Sequence, residues 1–247
     1  MKKLNLIFDL DDTLVDCSKF YKQQQEAFAQ YQHERTGLSV DLIKKVREDI
    51  DVNFMSTPDG FSRARFPRSF AATSMTIDMM LGNSMDEEAA RQSFELGDLV
   101  FDAEYPLCPG VDVMLSAYKD AGHNLFLVTK GDFAVQTKKI EMNGLSNWFS
   151  TDKIYIVAQK SHVEYGRVLH DHHLDKSDTC IIGDSIRDDM ISAEHLAVSC
   201  VWVHGRHNTG WSYENAKYKP IFSIEHAADL VTLIDPITGK LLADPLV

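Results

Sequence analysis

The spacing of apolar positions along this chain changes twice. It opens on a short unbroken apolar run, Leu4 to Phe8, of strand length. From about Ser18 to Glu104 the spacing turns helical and β-branched runs nearly vanish. Tyr21, Phe28 and Tyr31 fall on one helical face, with Ser18 as a cap and Gly37 as a stop. Val40, Ile43, Val46 and Ile50 mark a second helix starting at Ser39. A third is expected from Ser69 to Leu81, closed by Gly82-Asn83. Ser84-Met85-Asp86-Glu87 has the spacing of a capping box and opens a fourth.

At Pro106-Leu107-Cys108-Pro109-Gly110 the helical block stops. Apolar strands then alternate with amphipathic stretches: Asn124 to Thr129, Lys153 to Val157, Thr179 to Gly183 and Ser199 to Val203, preceded by a helical stretch from Val111 to Ala121. This alternation predicts an α/β fold, a parallel sheet covered by helices on both faces. Leu4 to Phe8 belongs to the same sheet, so the helical block is an insertion between its first two strands. The expected division is residues 1–16 with 105–247 as the α/β core, and 17–104 as an all-helical domain. No internal repeat or low-complexity segment interrupts this order.

Composition then limits the partners. A length of 247 residues suits one α/β domain carrying a smaller insert. The formal net charge of -12 argues against a nucleic-acid backbone or an anionic membrane surface as the partner. A small phosphorylated metabolite is compatible with it, because a local site can differ in sign from the surface. No apolar run approaches the ~20 residues of a spanning helix, and Asp9, Asp11 and Asp12 break the opening run before it could serve as a signal sequence. Cys17, Cys108, Cys180 and Cys200 lie far apart, without metal or redox spacing. They are expected to be reduced thiols of a cytoplasmic protein.

Four motifs sit at the carboxyl ends of predicted strands, which share one edge of an open parallel sheet. In Ile7-Phe8-Asp9-Leu10-Asp11-Asp12-Thr13-Leu14, Asp9 and Asp11 leave the strand toward one cleft. A carboxylate can attack phosphorus to give an acyl phosphate, and a second acid beside it can move the proton. The plainer reading is an acidic turn capping a helix. In Leu125 to Asp132, Thr129 offers a hydroxyl, Lys130 a cation, and Gly131 lets the following amides face an anion. Lys160 stands alone just past the third strand, where a lysine is otherwise a solvated charge. In Ile181 to Met190, Asp184 and then Asp188 and Asp189 surround a Gly-Asp-Ser turn, an oxygen-donor set that suits Mg²⁺. An acidic helix N-terminus would explain Asp188 or Asp189, but Asp184 less well.

Charge decides whether the cluster is coincidence. Two like charges ~4 Å apart at an effective dielectric of ~20 repel by about 4 kcal/mol. Asp9, Asp11, Asp184 and Asp189 around one phosphate dianion therefore require a divalent cation and the Lys160 ammonium.

Taken in this order, the four motifs resemble those of the haloacid dehalogenase (HAD) superfamily, over residues 1 to about 16 and about 105 to 205. The resemblance implies a Rossmann-like three-layer core with a helical cap after the first motif, here 17–104. It implies a Mg²⁺-dependent phosphatase in which Asp9 is the nucleophile and a metal ligand. Asp11 is then the general acid/base and lends its carbonyl to the metal. Thr129 and Lys160 hold the phosphoryl oxygens, and Asp184 with Asp188 or Asp189 completes the metal site; Lys130, beside Thr129, is a further phosphate-binding candidate. Asp189 gives the following helix its usual register. The sequence departs from the family pattern at Ser161-His162, where many members carry proline after the lysine. Asp11 argues against dehalogenation, since a departing halide needs no proton. A phosphomutase, or a binding protein on the same scaffold, is the alternative.

Arg63, Arg65 and Arg68 concentrate positive charge in the helical insert, and Arg65 and Arg68 are candidates for contacting the anionic part of a substrate; the alternative is a solvated loop. His170, Asp171, His172 and His173 read as a solvated helix end. His204, His207 and Trp211 follow the last main strand and are candidates for the cleft rim. The substrate and the oligomeric state are not encoded in any of these motifs.

Overall fold

Six strands form one sheet in the order β3-β2-β1-β4-β5-β6, every neighbouring pair parallel. They are β1 (Asn5–Phe8), β2 (Asn124–Lys130), β3 (Ile154–Val157), β4 (Thr179–Gly183), β5 (Ser199–Val203) and β6 (Ser223–Ile224). The computed structural model describes residues 3–57, 60–204 and 221–242. β6 has two residues, too few for any periodic signal, and went unanticipated. The sheet is flanked by helices, as the alternation of strands and amphipathic stretches requires.

All four residues of β1 are buried, which explains why its sequence shows no polar alternation. Ile7 packs with Phe126, Val128 and Ile181 against Tyr165, Val168 and Leu169 of α7 (His162–Asp171) and Ala193 of α8 (Ile191–Leu196). Phe8 meets Phe149 edge-on at 6.2 Å. Each such fully buried side chain contributes about 1.5–3 kcal/mol. α5 (Val111–Asp120) buries Val111, Met114, Leu115 and Tyr118, an i, i+3, i+4, i+7 stripe. The Tyr118 hydroxyl donates to the Ile234 carbonyl at 2.7 Å, tying down the end of α9 (Leu230–Leu233).

The chain divides into two compact units, Met1–Cys17 with Tyr105–Val247, and Ser18–Glu104. Within the first, the chain's exit and return are hydrogen-bonded side by side. Asp16 N donates to Pro106 O at 2.9 Å and Cys108 N to Leu14 O at 2.8 Å.

The second unit contains α1 (Ser18–Thr36), α2 (Val40–Met55), α3 (Arg65–Met80) and α4 (Glu87–Asp98). Phe28, Phe66 and Phe70 form its aromatic centre, with ring centroids 4.5 and 4.8 Å apart. Arg35 reaches from α1 to Asp78 of α3 at 2.6 Å. Ser39 caps α2 as expected, accepting from Leu42 N. Two boundaries differ from the sequence reading. α3 begins at Arg65 rather than Ser69, because Pro67 falls in its first turn, where no intrahelical N–H is needed. Arg65 and Arg68 therefore ride on a helix and not a loop. Asp86, not Ser84, caps α4: its carboxylate accepts from both Glu88 N and Ala89 N at 3.0 Å and complements the helix dipole. Among the described residues, no helix is long and apolar enough to cross a membrane.

Candidate active site

Register brings the first and fourth motifs together. Phe8 lies opposite Ile182 across the β1–β4 pair, so Asp9 and the Gly183-Asp184 step leave the sheet at adjacent points. Asp9 N donates to Ile182 O at 2.9 Å and its side chain is buried. Asp12 adopts a left-handed backbone, φ 60°, which aspartate tolerates. Its Oδ1 accepts from Cys17 N at 3.1 Å, so it shapes the loop. At the last position of β4, a Cβ on Gly183 would lie 2.1 Å from Asp189 Oδ2, so only glycine allows that carboxylate its place. Ser185 then caps a π-helical turn, Ile186–Met190, accepting from Asp188 N. The wider turn points Asp189 into the protein and leaves Asp188 nearer the surface.

Ligand oxygens of Asp9, Asp184 and Asp189 lie within 4.8 Å of one another. The buried Lys160 ammonium pairs with Asp9 and, at 2.7 Å, with Asp189. Asp189 also accepts from the Tyr165 hydroxyl at 2.7 Å and from Ser185 N at 3.1 Å, so both of its oxygens are engaged. Burial, only partly offset by Lys160 and reinforced by Asp189 and Asp11, pushes Asp9 up to about 7. Burial and then the charges of Asp9, Asp12 and Asp189 push Asp184 well above the usual carboxylate range. Burial opposes the Lys160 charge, but Asp189 and Asp9 outweigh it and hold the ammonium well above the ordinary lysine value. With all three carboxylates ionised, one ammonium faces three negative charges, a deficit of two that a divalent cation would cancel. The oxygen-only donor set fits Mg²⁺, with Asp9 and Asp184 offering the freer oxygens.

A second network surrounds Asp11. Lys139 on α6 (Phe133–Met142) donates to Oδ1 and Oδ2 at 2.8 and 2.9 Å, Gln136 to Oδ2 at 3.0 Å, and the Cys17 thiol to Oδ1 at 3.1 Å. Desolvation works against the Asp11 charge, yet Lys139, Cys17 and Gln136 hold it below the usual carboxylate range. Gln136 also donates to Thr129 Oγ1 at 2.5 Å and packs against Gly131, whose φ of 153° admits little besides glycine. Lys130 pairs with Asp188, which Arg187 also binds at 2.9 Å. The Trp202 indole donates to the Asp184 carbonyl at 2.8 Å.

The structure therefore gathers Asp9, Asp184, Asp189 and Lys160 in one group, and Asp11 and Thr129 in another linked through Gln136. Lys130 and Asp188 form a separate pair. In the helical unit Arg65 is paired with Asp51, Arg63 with Asp98 at 2.8 Å, and Arg68 is exposed. His170 and His173 are exposed at the end of α7, and His172 packs edge-on against Phe126. His204 is exposed beside Trp202; His207 and Trp211 lie outside the described residues. Sequence reading missed Gln136, Lys139, Tyr165 and Trp202. A signal existed for the first two: with Ile140 they form the buried i, i+3, i+4 face of α6, where polar side chains need partners. Tyr165 and Trp202 look like ordinary core aromatics.

The model of the haloacid dehalogenase-like hydrolases matches residues 5–196. The chain belongs to that family. Similar solved structures include a HAD-like family hydrolase from Xanthomonas campestris, with TM-score 0.67, 19% identity, and coverage of 92% of this chain and 88% of that one. A HAD phosphatase from Thermococcus onnurineus has TM-score 0.59 at 15% identity, covering 98% and 100%. YfnB from Bacillus subtilis, a HAD-type structure holding magnesium, has TM-score 0.63 at 18% identity, covering 94% and 98%. Dehalogenases share the fold as well, so likeness of fold leaves the reaction of this HAD chain open. No curated protein matches it.

Two outcomes follow from this geometry. Gly183→Ala drives a methyl into Asp189 and should destabilise the protein by about 1–3 kcal/mol, as overpacking does; an unchanged urea midpoint would contradict the close approach. The second concerns pH. With Asp9 near 7 in the folded state and near 3.8 when unfolded, the folded protein retains a proton across that window. Its contribution to stability is complete below the unfolded value and is lost as pH rises through about 7. Without added metal, Tm should therefore fall less between pH 5 and 8 in Asp9→Asn than in the wild type. Parallel Tm–pH curves would contradict the assignment.

Proposed function

We propose that this HAD-family protein is a Mg²⁺-dependent phosphohydrolase that cleaves a small phosphate monoester through an aspartyl phosphate on Asp9. One observation carries the reading: three clustered carboxylates face a single ammonium. Bound by Asp9, Asp184 and Asp189, with the Asp11 carbonyl, Mg²⁺ would supply the charge neutralisation that lets an anionic phosphate approach Asp9.

In this reading an Asp9 carboxylate oxygen attacks phosphorus while the bond to the leaving oxygen breaks. Asp11 must first take up a proton, against the pull of Lys139, Cys17 and Gln136 on its ionised form, and then gives it to that oxygen. Water then attacks the phosphoaspartate, Asp11 takes the water's proton, and inorganic phosphate leaves with Asp9 restored. Lys160 neutralises Asp9 and the phosphoryl oxygens. Because Gln136 donates to Thr129 Oγ1, the threonine's own proton is left for a phosphoryl oxygen. Lys130, held by Asp188, adds a second ammonium near the end of β2.

A dehalogenase would have no use for Asp11, since halide departs unprotonated. A phosphomutase would use the same carboxylates and differ in passing the phosphoryl group to a hydroxyl instead of water. Residues 17–104, entering directly after the first motif, are read as a cap that selects the leaving group. Arg65 is committed to Asp51, which makes the exposed Arg68 its better candidate contact. The four free thiols fit a cytoplasmic protein.

Turnover of p-nitrophenyl phosphate should require Mg²⁺, and Asp9→Asn should abolish turnover and covalent phosphate labelling together. Asp11→Asn should lose ~10²–10⁴ on alkyl phosphates, the usual worth of general acid/base help. It should still form phosphoenzyme from p-nitrophenyl phosphate, whose phenolate departs unaided. Full turnover after exhaustive chelation, or labelling that survives Asp9→Asn, would sink the reading.

A further inference from the structure

The fold does not account for a lysine at position 139. Its side chain faces inward from α6, 2% exposed, with the ammonium 5.0 Å from the Tyr105 ring centroid. The pair is buried on the lysine side alone, the Asp11 side chain being 35% exposed; taking the ammonium out of water offsets much of the attraction, and an apolar side chain of similar volume serves packing as well. Immobilising the long stem also surrenders about 2 kcal/mol of rotamer freedom. What the ammonium does contribute is orientation. A carboxylate offers about four acceptor positions. Lys139 fills one on each Asp11 oxygen, Gln136 a second on Oδ2, and the Cys17 thiol a second on Oδ1. Gln136 extends the network to Thr129 Oγ1 and, at 3.3 Å, to the Lys130 carbonyl. The plane and tilt of the Asp11 carboxylate are thereby fixed relative to the end of β2.

We infer that Lys139, assisted by Gln136, is a positioning residue that aims Asp11 for proton transfer; the inference rests on the phosphatase reading above. The thiol is the weakest of the three donors. It is the contact that a leaving oxygen or a water displaces, while Lys139 and Gln136 stay in place. The proton passes from Asp11 to the leaving oxygen as the P–O bond breaks, and Asp11 regains one from the water that hydrolyses the phosphoaspartate.

The test compares Lys139→Met, which keeps the volume and removes the ammonium, with Lys139→Arg, which restores charge and donors. On the alkyl phosphate that the wild type hydrolyses fastest, Lys139→Met should lower kcat by about 10- to 100-fold, the scale of a misplaced catalytic group, and leave KM unchanged. Phosphoenzyme formation from p-nitrophenyl phosphate should proceed near the wild-type rate in a stopped-flow burst, and Lys139→Arg should recover most of the loss. In an Asp11→Asn background Lys139→Met should cost nothing further, because its effect runs through Asp11. Should Lys139→Met fail to fold, Gln136→Leu must show the same selective loss. Equal losses in both steps, additive losses with Asp11→Asn, or no loss beside an active wild type would each overturn this inference alone. A wild type that forms no phosphoenzyme with Mg²⁺ would overturn the phosphatase reading and this one together.

Discussion

The Lys160 ammonium lies between Asp9 and Asp189, and the end of the sheet is organised around that contact. β1 and the turn after β4 would otherwise present carboxylates to each other in a site from which water is largely excluded. At such separations the repulsion amounts to several kcal/mol, comparable to the whole stability of a domain. Register forces the encounter, because Phe8 opposite Ile182 leaves the two acidic strand exits no other place. The ammonium makes the arrangement tolerable without making it neutral. Tyr165 and Ser185 N take up the rest of Asp189, so the charge left unmatched when all three are ionised falls mainly on Asp9 and Asp184. The neighbouring pair of Lys130 with Asp188 repeats the solution at smaller scale. Successive aspartates after β4 thus acquire different lysines and different surroundings.

How much of this could be read from residues alone depends on where each residue's partners lie. β1, β2 and β4 are buried through their length or centre and were legible as apolar runs; β3 and β5 are only partly buried but keep strand-length apolar runs that were legible too. β6 has two residues and carries no such pattern. The starts of α3 and α4 were misplaced because proline in a first turn and a two-amide aspartate cap compete with more familiar signals. Asp9, Asp11, Thr129, Lys160, Asp184 and Asp189 could be nominated because strand ends in a parallel sheet converge. Lys139 could not, since its meaning lies in a carboxylate 128 positions away. Its helix gave one hint, a lysine and a glutamine on the face that also carries Ile140.

Structural likeness at 12–19% identity extends over hydrolases, a phosphatase and dehalogenases alike. A scaffold shared that widely does not choose a reaction; the side chains grafted on it do. In the proposed reading, the difference between displacing a halide and displacing an alkoxide comes down to whether a second carboxylate is present and held.

The paired exit and return of the helical insertion carry a further consequence. Asp16 bonded to Pro106 and Leu14 to Cys108 mean that the sheet meets the insertion as a closed stem. Joining ends that are already neighbours costs an entropy that grows only as the logarithm of what is looped out. Modules of different length and character can therefore be exchanged at this point over evolutionary time, while the strand register on which the carboxylates depend stays as it is.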